Sequence, residues 1–249
     1  MSESKIQFSK DNIDGYLKAL GKEYRKRAGK GMKAELILVG GAAILVNYGF
    51  RDTTTDVDAL IQAASSMKDA INHVGDTFGL PNGWLNEDFA QTVSFSPKLV
   101  EYSTHYRTYA NVLEVRTIAA EYLIAMKLRS GRQYKNDLSD VLGILAEHEK
   151  RNQPISMEQI QKAAVHLYGT WDALPPASIT FIENAMRNGQ FEKQYAEVAA
   201  YEQASLEALV RFDATYPGGV NEANTDQILK LLQERKGLQE HQLLSLIHI

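Results

Sequence analysis

Cysteine is absent from this 249-residue chain. That rules out disulfides, zinc–thiolate sites and cysteine nucleophiles, and it fits a reducing compartment. No run of about 18 apolar residues occurs, so no membrane-spanning helix is expected. The opening stretch from Met1 to Gln7 is polar and lacks the apolar core of a signal peptide. These absences set the expectation of a soluble, cytoplasmic protein. An excess of positive charge is also missing, since the net charge is -4. Contact with nucleic acid would have to come from a local patch rather than the whole surface. What is present is ordinary globular composition, 44% hydrophobic and 23% charged. Such a length permits one large domain or two smaller ones.

Apolar spacing predicts a helix from Asn12 to Lys26, stopped by Gly29 and Gly31. Leu36 to Val39 reads as a buried strand, followed at once by Gly40-Gly41 and a short helix from Ala42 to Tyr48. A second strand is expected over Thr55 to Ile61, then a helix starting at Ser65 or Ser66. Three further strands are expected at Thr92 to Phe95, Val100 to Arg107 and Val112 to Arg116. Thr117 looks like the cap of a helix through Leu128, and another helix is expected from Asn136 to Glu149. Beyond Pro154 the pattern is helical, with candidates at Met157 to Tyr168, Ala177 to Arg187, Glu192 to Phe212 and Asp226 to Lys236. The expected organisation is a mixed α/β (α+β) domain over 1–150 and an all-helical domain over 151–249. The apolar stretch from Leu243 to Ile249 is poorly patterned and is assigned no function.

Chemistry concentrates in two places. Asp56 and Asp58 are two apart on an expected strand, so both carboxylates share one face while Val57 and Ala59 take the other. Two like charges side by side are costly unless a cation lies between them. Hard oxygen ligands suit Mg²⁺, which is commonly held by one or two carboxylates plus substrate phosphates. Gly40-Gly41 supplies a tight turn into a helix, where the main chain can approach a phosphate closely. Fourteen residues separate Gly41 from Asp56, enough for a short helix and a return to an adjacent strand. A lone Gly-Gly or a lone Asp-x-Asp is usually only a turn. Their order, spacing and apolar flanks point instead to a triphosphate held beside a metal.

Gly-Gly-Ala-Ala followed by Tyr-Gly-Phe-Arg-x-x-Thr-x-Asp-Val-Asp resembles the minimal nucleotidyltransferase superfamily. Within it, the likeness is to AbiEii-like toxin nucleotidyltransferases and their uncharacterised bacterial relatives. Trp84-Leu85-Asn86, Ile124 to Leu128 and Gly131-Arg132-x-x-Lys135-x-Asp137-x-x-Asp140 extend the resemblance over roughly residues 34 to 146. It implies a mixed sheet flanked by helices and transfer of a nucleotide from a nucleoside triphosphate, with Mg²⁺ (or Mn²⁺) as cofactor. It also implies an RNA acceptor, tRNA among them, or a protein acceptor, and an antitoxin partner if the chain is a toxin. Carried onto this sequence, Gly40 and Gly41 would cradle phosphate and Asp56 and Asp58 would bind metal. Thr54 would lie near the triphosphate, and Lys127 would meet a phosphate as a point charge. Asp137 or Asp140 would orient Lys127 or act near the acceptor. Arg132 and Lys135 are further phosphate candidates.

Many superfamily members carry a third carboxylate on a later strand. Glu114 is the candidate here, although Arg116 shares its face and is an alternative partner for it. Two other readings stay open: transfer to a small molecule such as an aminoglycoside, and a catalytically inert binding module. The basic run from Lys22 to Lys33 reads first as a solvated helix end. The six histidines show no metal-ligand spacing, and Trp84 and Trp171 read as packing residues.

Overall fold

The computed structural model describes residues 7–221 and 224–235. The polar start through Ile6, Lys236, His241, His248 and the Leu243 to Ile249 stretch lie outside the described residues. Two compact units divide between Met126 and Lys127. That boundary precedes the shift in composition near 150, because the helix before 150 packs on a later helix of the second unit.

In the first unit, α1 (Lys10–Ala28) buries Ile13, Leu17, Leu20 and Tyr24 along one stripe and packs on α3 (Ser66–Phe78). It ends at Gly29, whose φ of 90° suits glycine. The centre of the unit is β2 (Ala34–Leu38), where Leu36, Ile37 and Leu38 are all fully buried. A continuous apolar run of this kind fits a strand covered on both faces. The remaining strands are β4 (Val57–Gln62), β5 (Leu85–Asn86), β6 (Ser103–Tyr109) and β7 (Leu113–Ile118). They form a mixed five-stranded sheet in the order β5-β4-β2-β7-β6, flanked by helices. β2 runs antiparallel to β4 and parallel to β7, and β6 and β7 form an antiparallel pair. A separate two-stranded ladder joins β1 (Phe8–Ser9) to β3 (Thr53–Thr54), with Phe8 opposite Thr54. α2 (Gly40–Asn47) connects β2 to this region.

Three expectations fail locally. Thr92 to Phe95 is a turn, because the Thr92 hydroxyl and N–H both donate to the Phe89 carbonyl, at 2.8 and 3.0 Å. This local bonding competes with a ladder. Val93 is left 68% exposed and Ser94 buried, the reverse of a core-facing strand. Val100 to Tyr102 belongs to a 3-10 helix over Pro97–Tyr102, and the strand begins at Ser103. Thr117 is no helix cap. It lies inside β7, opposite Leu38 and Thr104, and α4 starts later (Ala120–Ser130).

The second unit holds α5 (Asp137–Lys150), α6 (Met157–Tyr168), α7 (Pro176–Asn188), α8 (Phe191–Thr215) and α9 (Thr225–Arg235). α5 packs on α8, which draws it into this unit. Among the described residues, no helix is long and apolar enough to cross a membrane.

Candidate functional site

β2 gives way to α2 at Val39, which is extended, and Gly40, whose φ is 53°. A left-handed residue is needed at that step, and glycine takes it without the Cβ penalty. The Val39 N–H donates to the Asp58 carbonyl at 3.0 Å, holding β4 against the turn. A Cβ on Gly40 would lie 3.7 Å from Asp58 Oδ2, an ordinary van der Waals contact, so the positive φ and not crowding calls for glycine there. A Cβ on Gly41 would lie 2.7 Å from Thr54 Oγ1 and 3.1 Å from Arg51 Nη2. Real Cβ contacts do not come so close as the first, so the Thr54 hydroxyl favours glycine at residue 41, with the Arg51 guanidinium packed beside it.

Val57 and Ala59 are fully buried, Asp58 is half-buried and Asp56 is exposed. The alternation therefore turns both carboxylates away from the core-facing side chains. Asp56 itself precedes β4 by one residue instead of standing within it. Gly40, Gly41, Thr54 and Asp58 thus converge at the end of β2, with Asp56 next along the chain.

Residues 15–165 match the family described as nucleotidyltransferase of unknown function (DUF6036). The chain belongs to that family. No curated protein and no solved structure matches it. The family match runs from α1 into α6 and takes in both charged clusters of this nucleotidyltransferase-family chain.

The second cluster lies within the second unit. Lys127 Nζ is 2.9 Å from Asp137 Oδ1 and 2.8 Å from Asp140 Oδ2. Arg132 Nε donates to Asp137 Oδ2 at 2.8 Å. Both aspartates are buried, and they stand one helical turn apart at the start of α5. Burial alone would raise the Asp137 pKa. The charges and hydrogen bonds of Lys127 and Arg132 outweigh it and bring the carboxyl down to about 2. The expected phosphate ligand Arg132 is therefore engaged with Asp137. Lys135 is exposed, and its carbonyl accepts the Asp137 N–H.

Glu114 does not join Asp58. On β7 it lies opposite Glu35, which itself lies opposite Gln62 of β4. Four residues along β4 separate Gln62 from Asp58, so the two levels are roughly 13 Å apart. The β7 residue beside Leu38, near the glycine turn, is Thr117. Arg116 Nη1 donates to Glu114 at 2.9 Å and holds its pKa below the usual range, helped by His105 at 3.4 Å. Of the two partners open to Glu114 in the sequence, the fold gives it Arg116. An open cavity of about 450 Å³ lies at this far end of the sheet, lined by Lys33, Glu35, Gln62 and Glu114 among others. It is distinct from the glycine turn. Among the described residues, no group of three or more histidine or acidic side chains could hold a metal.

Two residues escaped the sequence reading. Arg51, half-buried, donates from Nε to the Thr53 carbonyl at 3.1 Å and lies over Gly41. Its place three residues before Thr54 was visible, but not its direction. Glu202 of α8 is 1% exposed and accepts from the Leu138 N–H at 2.9 Å, the Ser139 N–H at 3.2 Å and the Ser139 hydroxyl at 2.5 Å. It caps the start of α5, the turn that carries Asp137 and Asp140. Burial pushes its pKa up to about 7 despite these donors. No local motif marks a contact made across more than sixty residues.

Proposed function

We propose that the protein transfers a nucleotide from a nucleoside triphosphate to an RNA or protein acceptor, with Mg²⁺ (or Mn²⁺) held at Asp58 and Asp56. The observation that carries this reading is the convergence of Gly40, Gly41, Thr54 and Asp58 at the end of β2 in a nucleotidyltransferase-family chain. The donor set fits such an ion. Two aspartates lie on one side of an extended segment, and Asp58 Oδ2 lies beside Gly40. Mg²⁺ commonly takes just one or two carboxylates and completes its shell with water and phosphate. When bound, the ion would neutralise phosphate charge and favour departure of pyrophosphate.

The protein's own groups supply the rest. The glycine turn lets phosphate oxygens approach main-chain N–H groups, and the Thr54 hydroxyl offers a hydrogen bond beside Gly41. Lys127 is held by Asp137 and Asp140 within the second unit. The acceptor oxygen bonds to the α-phosphorus as the bond to pyrophosphate breaks. RNA is the acceptor favoured by the resemblance to toxin nucleotidyltransferases. In that setting the protein is the cytoplasmic toxin of a toxin–antitoxin pair, with an antitoxin protein as partner.

The test is incubation with each labelled nucleoside triphosphate, Mg²⁺ and total RNA. Label is expected on RNA with at least one nucleotide and is expected to fall about 100-fold in Asp58→Ala. Absence of transfer with every nucleotide, or equal transfer by Asp58→Ala, sinks the reading.

A further inference from the structure

We propose that the outward face of α1, with the Gly29–Lys33 connection after it, binds the phosphate backbone of RNA. The inference rests on the nucleotidyl-transfer reading only for the role of that RNA as acceptor. From Lys18 to Lys33 the chain carries seven basic side chains and one acid, in a protein whose net charge is -4. The helical period puts Lys18, Lys22, Arg25 and Lys26 within about 100° of one another on α1, away from its buried stripe. Lys18, Lys22, Lys26, Lys30 and Lys33 are exposed. The one acid, Glu23, is drawn to Arg27 at 2.8 Å, Lys26 at 3.7 Å and His73 of α3 at 3.8 Å. Asp14, one turn before Lys18, is taken by Arg107 and the hydroxyls of Tyr106 and Tyr109. Among the described residues, no acid pairs with Lys18, Lys22 or Lys30. Arg25 donates to the Ala110 carbonyl at 3.2 Å and Lys33 to the Asn111 carbonyl, which fixes the patch to the turn between β6 and β7.

The helix dipole accounts for basic groups in the last turn of α1, but not for Lys18 and Lys22 before it. Like charges four residues apart repel, and Lys18, Lys22 and Lys26 form a run of such pairs. A polyanion laid along them removes that repulsion, and its neutralised phosphates release counterions. Lys33 precedes β2 and Gly40 follows it, so patch and glycine turn lie at opposite ends of the strand, roughly 20 Å apart. An acceptor gripped at one end and modified at the other must be long, as an RNA is and an aminoglycoside is not. A bilayer is a poorer match, because the apolar stripe of α1 is buried and has nothing to insert.

The experiment is fluorescence anisotropy of the full chain with a labelled RNA stem-loop over a series of salt concentrations. Wild type should bind, with affinity falling steeply as salt rises. The triple variant Lys18→Gln, Lys22→Gln, Lys26→Gln should weaken binding at least tenfold at low salt. The slope of log affinity against log salt should become shallower by about 2–3. A control triple variant, Lys162→Gln, Lys193→Gln, Lys230→Gln, removes the same charge from exposed positions of the second unit and should bind within twofold of wild type. If thermal melting shows the α1 triple variant unfolded, Lys22→Gln alone decides, with binding at least twofold weaker expected. RNA binding as tight as wild type in the folded α1 variant overturns this inference alone, as does an equal loss in the control. A wild type that binds no RNA overturns it too, whether or not it binds vesicles containing phosphatidylserine. RNA binding lost in the α1 variant, with no label transferred by wild type from any nucleotide, upholds the RNA-binding face and overturns the nucleotidyl-transfer reading.

Discussion

Asp58 and Asp137 belong to the same family match but live in opposite surroundings. Asp137 is fully buried, and Lys127 and Arg132 neutralise it from within 2.9 Å. The cluster of Lys127, Arg132, Asp137 and Asp140 holds two positive and two negative charges. Asp58 is half-buried beside two glycines, with Asp56 exposed one step before it. A buried, self-neutralising cluster holds its members in one geometry and is expensive to break. Acids nearer solvent carry a smaller burial cost. The contrast assigns a holding role to the cluster in the second unit.

Breaking the buried cluster should give the largest effect. Asp137→Ala leaves Lys127 and Arg132 without their shared partner and should cost about 3–5 kcal/mol in urea unfolding. A loss below about 1 kcal/mol would remove the holding role. Acid should act on the same carboxylate. Its pKa lies near 2 in the folded protein against 3.8 unfolded. A depressed acid stabilises above its unfolded pKa, so this contribution, about 2 kcal/mol, should disappear as pH falls from about 4 through 2.

Glu202 shifts the other way, from 4.5 to about 7. Its folded form holds the proton more tightly than the unfolded chain does. Its contribution is therefore complete below pH 4.5 and is lost as pH rises through 7. The fall should be about 3 kcal/mol, and Glu202→Gln should flatten that part of the stability profile measured from pH 4 to 8. An unchanged profile would show that Glu202 does not titrate in this range.

At the open site the effect should fall on turnover and not on folding. Asp58→Ala should lower nucleotide transfer about 100-fold, equivalent to about 2.7 kcal/mol, while unfolding changes by less than about 0.5 kcal/mol. A stability loss as large as that of Asp137→Ala would erase the distinction between the two clusters. The smallest effect is a control inside the first unit. Ala110 and Asn111 both have positive φ, at 50° and 60°, in the turn joining β6 and β7. Ala110→Gly should relieve that strain and stabilise by about 0.5 kcal/mol. Transfer should be unchanged, which an assay run beside the denaturation curve would check.

Much of the open site is legible in the chain because its parts are local. The two-residue period of Asp56, Val57, Asp58 and Ala59 announces which side chains turn inward. Gly40-Gly41 announces where the main chain bends. Asp137 and Asp140 share a helical face by spacing alone. Glu114 shows the limit of such reasoning. Alternation identifies its face but not its level along the sheet, and the pairing of β2 with β7 sets it roughly 13 Å along the strands from the level of Asp58. The turn at Thr92 to Phe95 shows a second limit, since a hydroxyl bonding back to Phe89 is stronger locally than a weak alternating pattern.

By itself the sequence determined the long helices, the strands β2, β4 and β7, the glycine bend and the pair of acids on one side of an extended segment. Each follows from neighbours within a few residues, where backbone geometry and side-chain period leave little choice. Tertiary structure alone decided that Arg51 and Thr54 fill the side-chain space of Gly41, that Glu114 turns to Arg116, and that Glu202 caps α5. Those contacts depend on strand register and on helices far apart in the chain, and register is a property of the packed sheet that no local pattern encodes.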